Sequence, residues 1–260
     1  MPGVKQKGMS AMKRKVFLGC LLAACMLLLC SCGEKPVSYN QAPFRRAGSI
    51  VTFGSYEQDN NTENGKEGIE WFVLEYSDGI CTLISRHGLD ARGFHTENTN
   101  VAWPDCELRS WLNNEFLNSA FAESEKKAII TTTLDNGMDQ NGGYTSNNVY
   151  GVDADYTLDK VFLLSKAEFD RYLKGDDKKE CKPTEYAVAK GAPQKNGAWW
   201  LRSVVSSFGE NKAYSYDMEF GKTLYGDFSG KIKIISSSTN FDYYLVRPVV
   251  CLDLTAECFK

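Results

Sequence analysis

The stretch IEWFVLEYSDGICTLIS, from Ile69 to Ser85, decides the fold class. Ile69, Trp71, Val73 and then Glu75 fall on one side of a period-two pattern, with Phe72 and Leu74 on the other. Alternation with apolar residues on both sides is the pattern of a strand covered on both faces. Ser77-Asp78-Gly79 is a turn signal, so the apolar run ICTLIS returns antiparallel and completes a β-hairpin.

Toward the N-terminus, SIVTFGSY places Ile50, Val51 and Phe53 in a short strand expected to end at Gly54. A polar loop from Glu57 to Gly68 leads into the hairpin. Toward the C-terminus, Asp105 is placed to cap a helix whose apolar positions Leu108, Trp111, Leu112 and Phe116 recur at three- and four-residue spacing. A second short helix is expected from Ala122 to Ile130. The segment Asp135 to Asp159 is rich in Asn, Gly, Asp and Ser, too polar to pack, and a loop of that length is a functional or a disordered one. KVFLLS reads as a buried strand, KAEFDRYL as a helix, and PTEYAVAKG as a helix ending at Gly191. AWWLRSVV, AYSYDMEF, KIKIISSS and YYLVRPVVCLDL read as strands with glycine turns. Strands at both ends and helices between them predict an α+β domain of mixed, mostly antiparallel sheets with a few short helices, first and last strands meeting. No β-α-β alternation is visible.

The front of the chain has a different character. Lys13-Arg14-Lys15 precede an uncharged run, Val16 to Leu29, of a length suited to a signal peptide and short for a bilayer span. Leu29-Cys30-Ser31-Cys32 then reads as a lipoprotein cleavage site. A small residue precedes a thiol able to carry diacylglycerol. The expected organisation is a signal peptide over 1–31, a lipidated Cys32 and polar tether over 32–48, and one globular domain over 49–256. That predicts an extracytoplasmic body held at a cell membrane or outer surface by several acyl chains, since one chain anchors only marginally. Removing 1–31 takes away five basic residues and no acids, leaving 25 Lys+Arg against 33 Asp+Glu. So acidic a body has no general attraction for nucleic acid.

Five cysteines follow Cys32, namely Cys81, Cys106, Cys181, Cys251 and Cys258, and none has C-x-x-C spacing. Cys106 with Cys181, in polar surroundings, is the pair considered for a disulfide, and Cys81 is expected to be a buried free thiol.

FGSYEQDNN…GIEWFVL, LRSWLNNEFLNSAF, DKVFLLS, PTEYAVAKGA, WWLRS and VRPVV, in that order, resemble the domain of unknown function 6273 family of exported bacterial proteins. That family is distantly similar to the C-type-lectin-like fold of formylglycine-generating enzymes. The resemblance implies a lectin-like fold and an extracytoplasmic location; it implies no reaction.

Chemistry is weakly signalled. His87 and His95 are the two histidines, and neither has a nucleophile frame such as G-x-S-x-G. Carboxylate pairs such as Glu70 with Asp90 are not favoured by any spacing, and Cys251 with Cys258 carries no oxidase motif. Asp59, Asn61, Glu63 and Glu70 occupy calcium-loop positions, but Asn64 stands where the turn needs glycine. No metal or cofactor is expected. Exposed Trp and Tyr rings stack on sugars or peptide side chains, and Arg donates in a fixed fork. The candidate contacts are therefore Trp103, beside Pro104 in a loop, with Trp200, Arg202, Tyr243 and Arg247, while Trp71 and Trp111 read as core. The expected role is non-catalytic binding of an extracellular glycan or protein. The alternatives are an enzyme of unassigned chemistry and a structural surface module.

Overall fold

The computed structural model describes residues 37–98, 101–136, 156–173, 177–204, 212–217, 233–238 and 240–260, and Pro36–Lys260 form one compact unit. The expected signal peptide, Cys32 and the interior of the polar segment, 137–155, lie outside the described residues. None of the described helices is long and apolar enough to cross a membrane.

The hairpin forms as read. Strand β1 (Ile50–Tyr56) pairs with β2 (Glu67–Ser77), which pairs antiparallel with β3 (Ile80–Ser85). Ser77 faces Ile80 across a two-residue turn in which Asp78 (φ 51°) and Gly79 (φ 84°) are both left-handed. Such a turn twists in the same sense as the strands it joins. Contrary to expectation, β1 does not stop at Gly54. The β1–β2 register shifts between Thr52 and Ser55, and Gly54, at φ 69°, is the bulge that lets the strand continue to Tyr56.

The short strand β4 (Asp90–Ala91) leads to the helical layer. Helix α1 (Glu107–Trp111) is capped by Cys106, whose sulfur accepts from the Arg109 N–H at 3.4 Å, while the expected cap Asp105 sits in the 3-10 turn before it. A wide π-type turn, Leu112–Phe116, separates α1 from α2 (Leu117–Ala120). In it Asn113 reaches across to Val161, donating to its carbonyl at 2.8 Å and accepting from the Lys160 N–H at 2.9 Å. The predicted apolar stripe Leu108, Trp111, Leu112 and Phe116 is buried. Helix α3 (Glu123–Ala128) carries the buried Glu125, which accepts from the Ala122 and Gly54 N–H groups and from the Tyr39 hydroxyl, tying the β1 bulge to the helix start.

Strands β5 (Thr132–Asp135) and β6 (Tyr156–Asp159) form a separate two-stranded ribbon. After β7 (Val161–Phe162), α4 (Lys166–Tyr172) starts from a capping box between Ser165 and Glu168. Helix α5 (Glu185–Ala189) is capped by Thr184, and Gly191 at φ 113° lies just beyond its end. Then come β8 (Trp199–Val204), β9 (Lys212–Asp217), β10 (Lys233–Ser238), β11 (Leu245–Val246) and β12 (Val249–Asp253).

One sheet runs β1-β2-β3-β12-β7 and the other β10-β9-β8-β11-β4, all pairs antiparallel except β8 with β11. The fold is α+β as expected. The last strand does not meet the first, however; β12 inserts between β3 and β7. The run YYLVRPVVCLDL was expected to be one strand. It is two, because Pro248 has no N–H for a ladder, and across Arg247-Pro248 the chain passes from the second sheet to the first. All five described cysteines are buried free thiols, so the Cys106–Cys181 disulfide is not formed.

Candidate functional site

The five residues singled out in the sequence for ligand contact go to unexpected places. Trp103 is not on a loop surface but 1% exposed, and its indole N–H donates to Asp159 Oδ2 at 2.9 Å. The same carboxylate accepts from Arg109 Nε at 2.7 Å and Thr157 Oγ1 at 2.8 Å, which makes the site a closed polar cluster. Trp200 is fully buried, as is its neighbour Trp199. The two rings leave opposite sides of β8 and are both covered, Trp199 against Phe169 of α4 and Trp200 against Phe94 and Tyr244. Arg202 is buried and held by five hydrogen bonds, among them a two-pronged grip on Glu168 and one at 2.9 Å to the Leu163 carbonyl. Arg247, also fully buried, donates from Nε to the Ser85 carbonyl at 2.8 Å and lies over the Trp199 ring at 5.0 Å. Tyr243 alone of the five is exposed, stacked on Phe241 with centroids 5.3 Å apart. Trp103 and Trp200 do converge, but on Phe94 inside the protein rather than on a concave surface.

Directly above that aromatic cluster is a cleft of about 660 Å³. Its floor is β4 and the residues after it, one wall is α1 and the wide turn, and the rim carries Lys190, Asn240 and Asp242. Arg92 is its central feature. The backbone of Arg92 is fixed on two sides, its N–H donating to the Tyr244 carbonyl at 3.1 Å and its carbonyl accepting from the Trp200 indole at 2.7 Å. The guanidinium lies 4.2 Å from the centre of the Trp111 ring, a cation-π contact, and its Nε is 3.6 Å from Asp90 Oδ2. Trp200 thus acts from beneath, positioning the residue that faces the cleft.

Asp90 is buried and accepts from the Tyr56 hydroxyl at 2.9 Å and the Ala91 N–H at 2.8 Å. Burial pushes its carboxyl above the usual carboxylate range, while Arg92 and the Tyr56 bond pull the other way. Tyr56 is pushed far above a normal phenol, by burial first and by the Asp90 charge second. Glu107 is held below the usual range, chiefly by the Thr96 hydroxyl it accepts from. His95 Nδ1 lies 3.7 Å from Glu107 Oε2. Glu115 and Asp242 add further carboxylates to a lining that also carries the cations Arg92 and Lys190.

A family model described as a domain of unknown function, DUF6273, matches residues 78–254. The chain belongs to the DUF6273 family. The match runs from the β2–β3 turn through β12, so it takes in every residue that lines the cleft. No curated protein and no solved structure matches the chain.

Elsewhere in this DUF6273 protein, Glu57, Asp59 and Glu67 bring carboxylate oxygens within 4.8 Å of one another. Asp59 and Glu67 lie in the stretch that resembles a calcium loop in sequence and Glu57 just before it, and oxygens of the cluster take local bonds: Glu67 accepts from the Gln58 N–H at 2.7 Å, and Asp59 from the Asn64 amide at 2.7 Å. Glu70 has no part in it and pairs with Arg86 at 2.8 Å. The cleft residues Arg92, His95, Glu107 and Glu115 were missed in the sequence, and Trp111 was assigned to the core alone. The available signal was ARGFH, a cation, a glycine, an aromatic ring and an imidazole packed together just after a short strand.

Proposed function

We propose that this chain is an exported bacterial lipoprotein, anchored through Cys32, whose DUF6273 domain binds an extracellular glycan or protein ligand without acting on it. Supporting the anchor are Lys13-Arg14-Lys15, the apolar run after them, and Ser31 before Cys32. Supporting the binding role is one observation: a concave, polar cleft built around an arginine stacked on a tryptophan, between β4 and α1. A distant kinship with the C-type-lectin-like fold agrees with the α+β, mostly antiparallel build and belongs to the same proposal. Membrane attachment is tested by feeding labelled palmitate to expressing cells. Label should enter the full chain, and Cys32→Ala should abolish it and release the protein from the membrane fraction. Binding is tested on arrays of surface glycans and extracellular proteins. The exposed charge reversals Glu115→Arg and Asp242→Arg, both in the cleft, should together remove whatever the wild type retains; unchanged retention would refute the cleft as the site.

A further inference from the structure

Deepening that binding role, and resting on it, we propose that the cleft takes a saccharide bearing a carboxylate, a uronic-acid-type sugar, with Arg92 gripping the carboxylate and Glu115 and Asp242 accepting from sugar hydroxyls. The argument starts from donors without acceptors. Arg92 Nε is buried and makes no hydrogen bond, and His95 Nδ1, of another lining residue, is likewise buried without one. Among the described residues no acceptor takes the Arg92 Nη groups either; the guanidinium is held only by the Trp111 face and by Asp90 beyond hydrogen-bond distance. The side chain is 39% exposed, with Nε turned toward the buried Asp90 and the Nη groups open to solvent, so a ligand carboxylate would replace water on the Nη groups with charged hydrogen bonds, about 1.5–3 kcal/mol each. The planar fork of a guanidinium, fixed on its flat side by a ring, matches two parallel carboxylate oxygens.

The remaining lining decides what the carboxylate is attached to. Asp90, Glu107, Glu115 and Asp242 share the cleft, so an anionic group is seated at Arg92 and the rest of the lining calls for hydrogen-bond donors. These carboxylates accept readily from hydroxyls, which a sugar supplies in number. Apolar lining is confined to Ala91, Leu108 and the Trp111 indole, all buried, which is too little to seat peptide side chains and leaves polar contacts to define the ligand. A cleft of about 660 Å³ lies within the size range of small-molecule sites.

The test is calorimetric titration of the full chain in detergent with three probes: trigalacturonate, its methyl ester and the dipeptide alanyl-glutamate. Trigalacturonate should bind, and esterification should weaken it at least tenfold. Arg92→Lys keeps the positive charge and loses the fork. It should weaken trigalacturonate at least tenfold and leave ester binding unchanged, with the thermal melt confirming a folded variant. Glu115→Gln, on the exposed rim, should weaken acid and ester equally. Equal binding of acid and ester, a preference for the dipeptide, or an Arg92→Lys variant that binds as well as wild type would each overturn the carboxylate assignment while leaving the binding role standing. Binding of none of the three overturns the assignment as well, and the array experiment with Glu115→Arg and Asp242→Arg decides the binding role separately.

Discussion

A buried indole is identified by what its N–H does. Trp200 donates to the Arg92 carbonyl and Trp103 to the Asp159 carboxylate, both inside the protein. Replacing either by phenylalanine keeps most of the ring and removes one buried hydrogen bond, from the Arg92 carbonyl in one case and from an Asp159 carboxylate still held by Arg109 and Thr157 in the other, so each variant should lose about 1–2 kcal/mol of stability. Urea unfolding measures this; an unchanged midpoint would mean that the indole N–H does not make this bond. The thiols are governed by the same burial. Desolvation pushes Cys181 up to about 11 and Cys81 up to about 12, and raises Cys106, Cys251 and Cys258 as well. Thiolate is the reactive form, so at pH 8 none of these five cysteines should be alkylated by iodoacetamide in the folded protein. All five should be alkylated in about 6 M guanidinium, a concentration well past typical unfolding midpoints. Peptide mapping by mass spectrometry distinguishes them from the cysteines at the front of the chain.

At the scale of single elements, glycine decides where a strand bends. A Cβ on Gly54 would stand 2.6 Å from two Phe121 ring carbons and 2.7 Å from the Ala120 carbonyl, in a backbone at φ 69°. Gly54→Ala should therefore cost on the order of 2–4 kcal/mol, combining left-handed strain with an overpacked ring. At Gly79, φ 84°, the nearest atom to such a Cβ is Thr255 Cγ2 at 4.0 Å. Only the backbone strain remains there, and Gly79→Ala should cost about 1 kcal/mol. Thermal or urea melts of the two variants test the ordering. These elements also mark how far the sequence reading reached. The β2–β3 hairpin and the buried stripe of Leu108, Trp111, Leu112 and Phe116 were legible because each depends on neighbours a few residues away. The bulge at Gly54 was read as a strand end, because a glycine in an apolar run looks the same in either role until Phe121 is known to lie over it. The cleft was not legible. Asp90, Trp111, Lys190 and Asp242 come from four parts of the chain and meet only after folding.

For the molecule as a whole, Arg202 is a cross-brace. From β8 it joins Glu168 on α4, the Leu163 carbonyl and the β5 end at Asp135. Burial tends to raise the Glu168 carboxyl, but the Arg202 charge and hydrogen bonds outweigh it and hold the group below the usual range. A folded value below the unfolded one, roughly 4.3, means stability that is complete above that pH and lost as pH falls through the folded value. Glu168→Gln should thus destabilise the protein at pH 7, by about 1–3 kcal/mol as expected for one partner of a charged hydrogen bond. The gap between variant and wild type should close as pH drops from about 5 toward 3, the range set by that unfolded value. Urea titrations at both ends measure it, and a gap independent of pH would show that the Glu168 charge is not what Arg202 holds.

Sequence by itself determined the fold class and the elements with a clear local pattern, because alternation, turn residues and helical spacing are local; it did not give the β5–β6 ribbon at the ends of the polar segment or the break at Pro248. Which aromatic residues face solvent was decided only by tertiary structure. Trp200 is buried because its ring is covered by Phe94 and Tyr244, and its N–H finds an acceptor 108 residues away. Arg202 and Arg92 illustrate the same division: both are arginines at or beside a strand, yet folding surrounds one with five acceptors and leaves the other facing an open cleft. Burial is a property of what packs against a residue, and that is set by contacts between segments far apart along the chain.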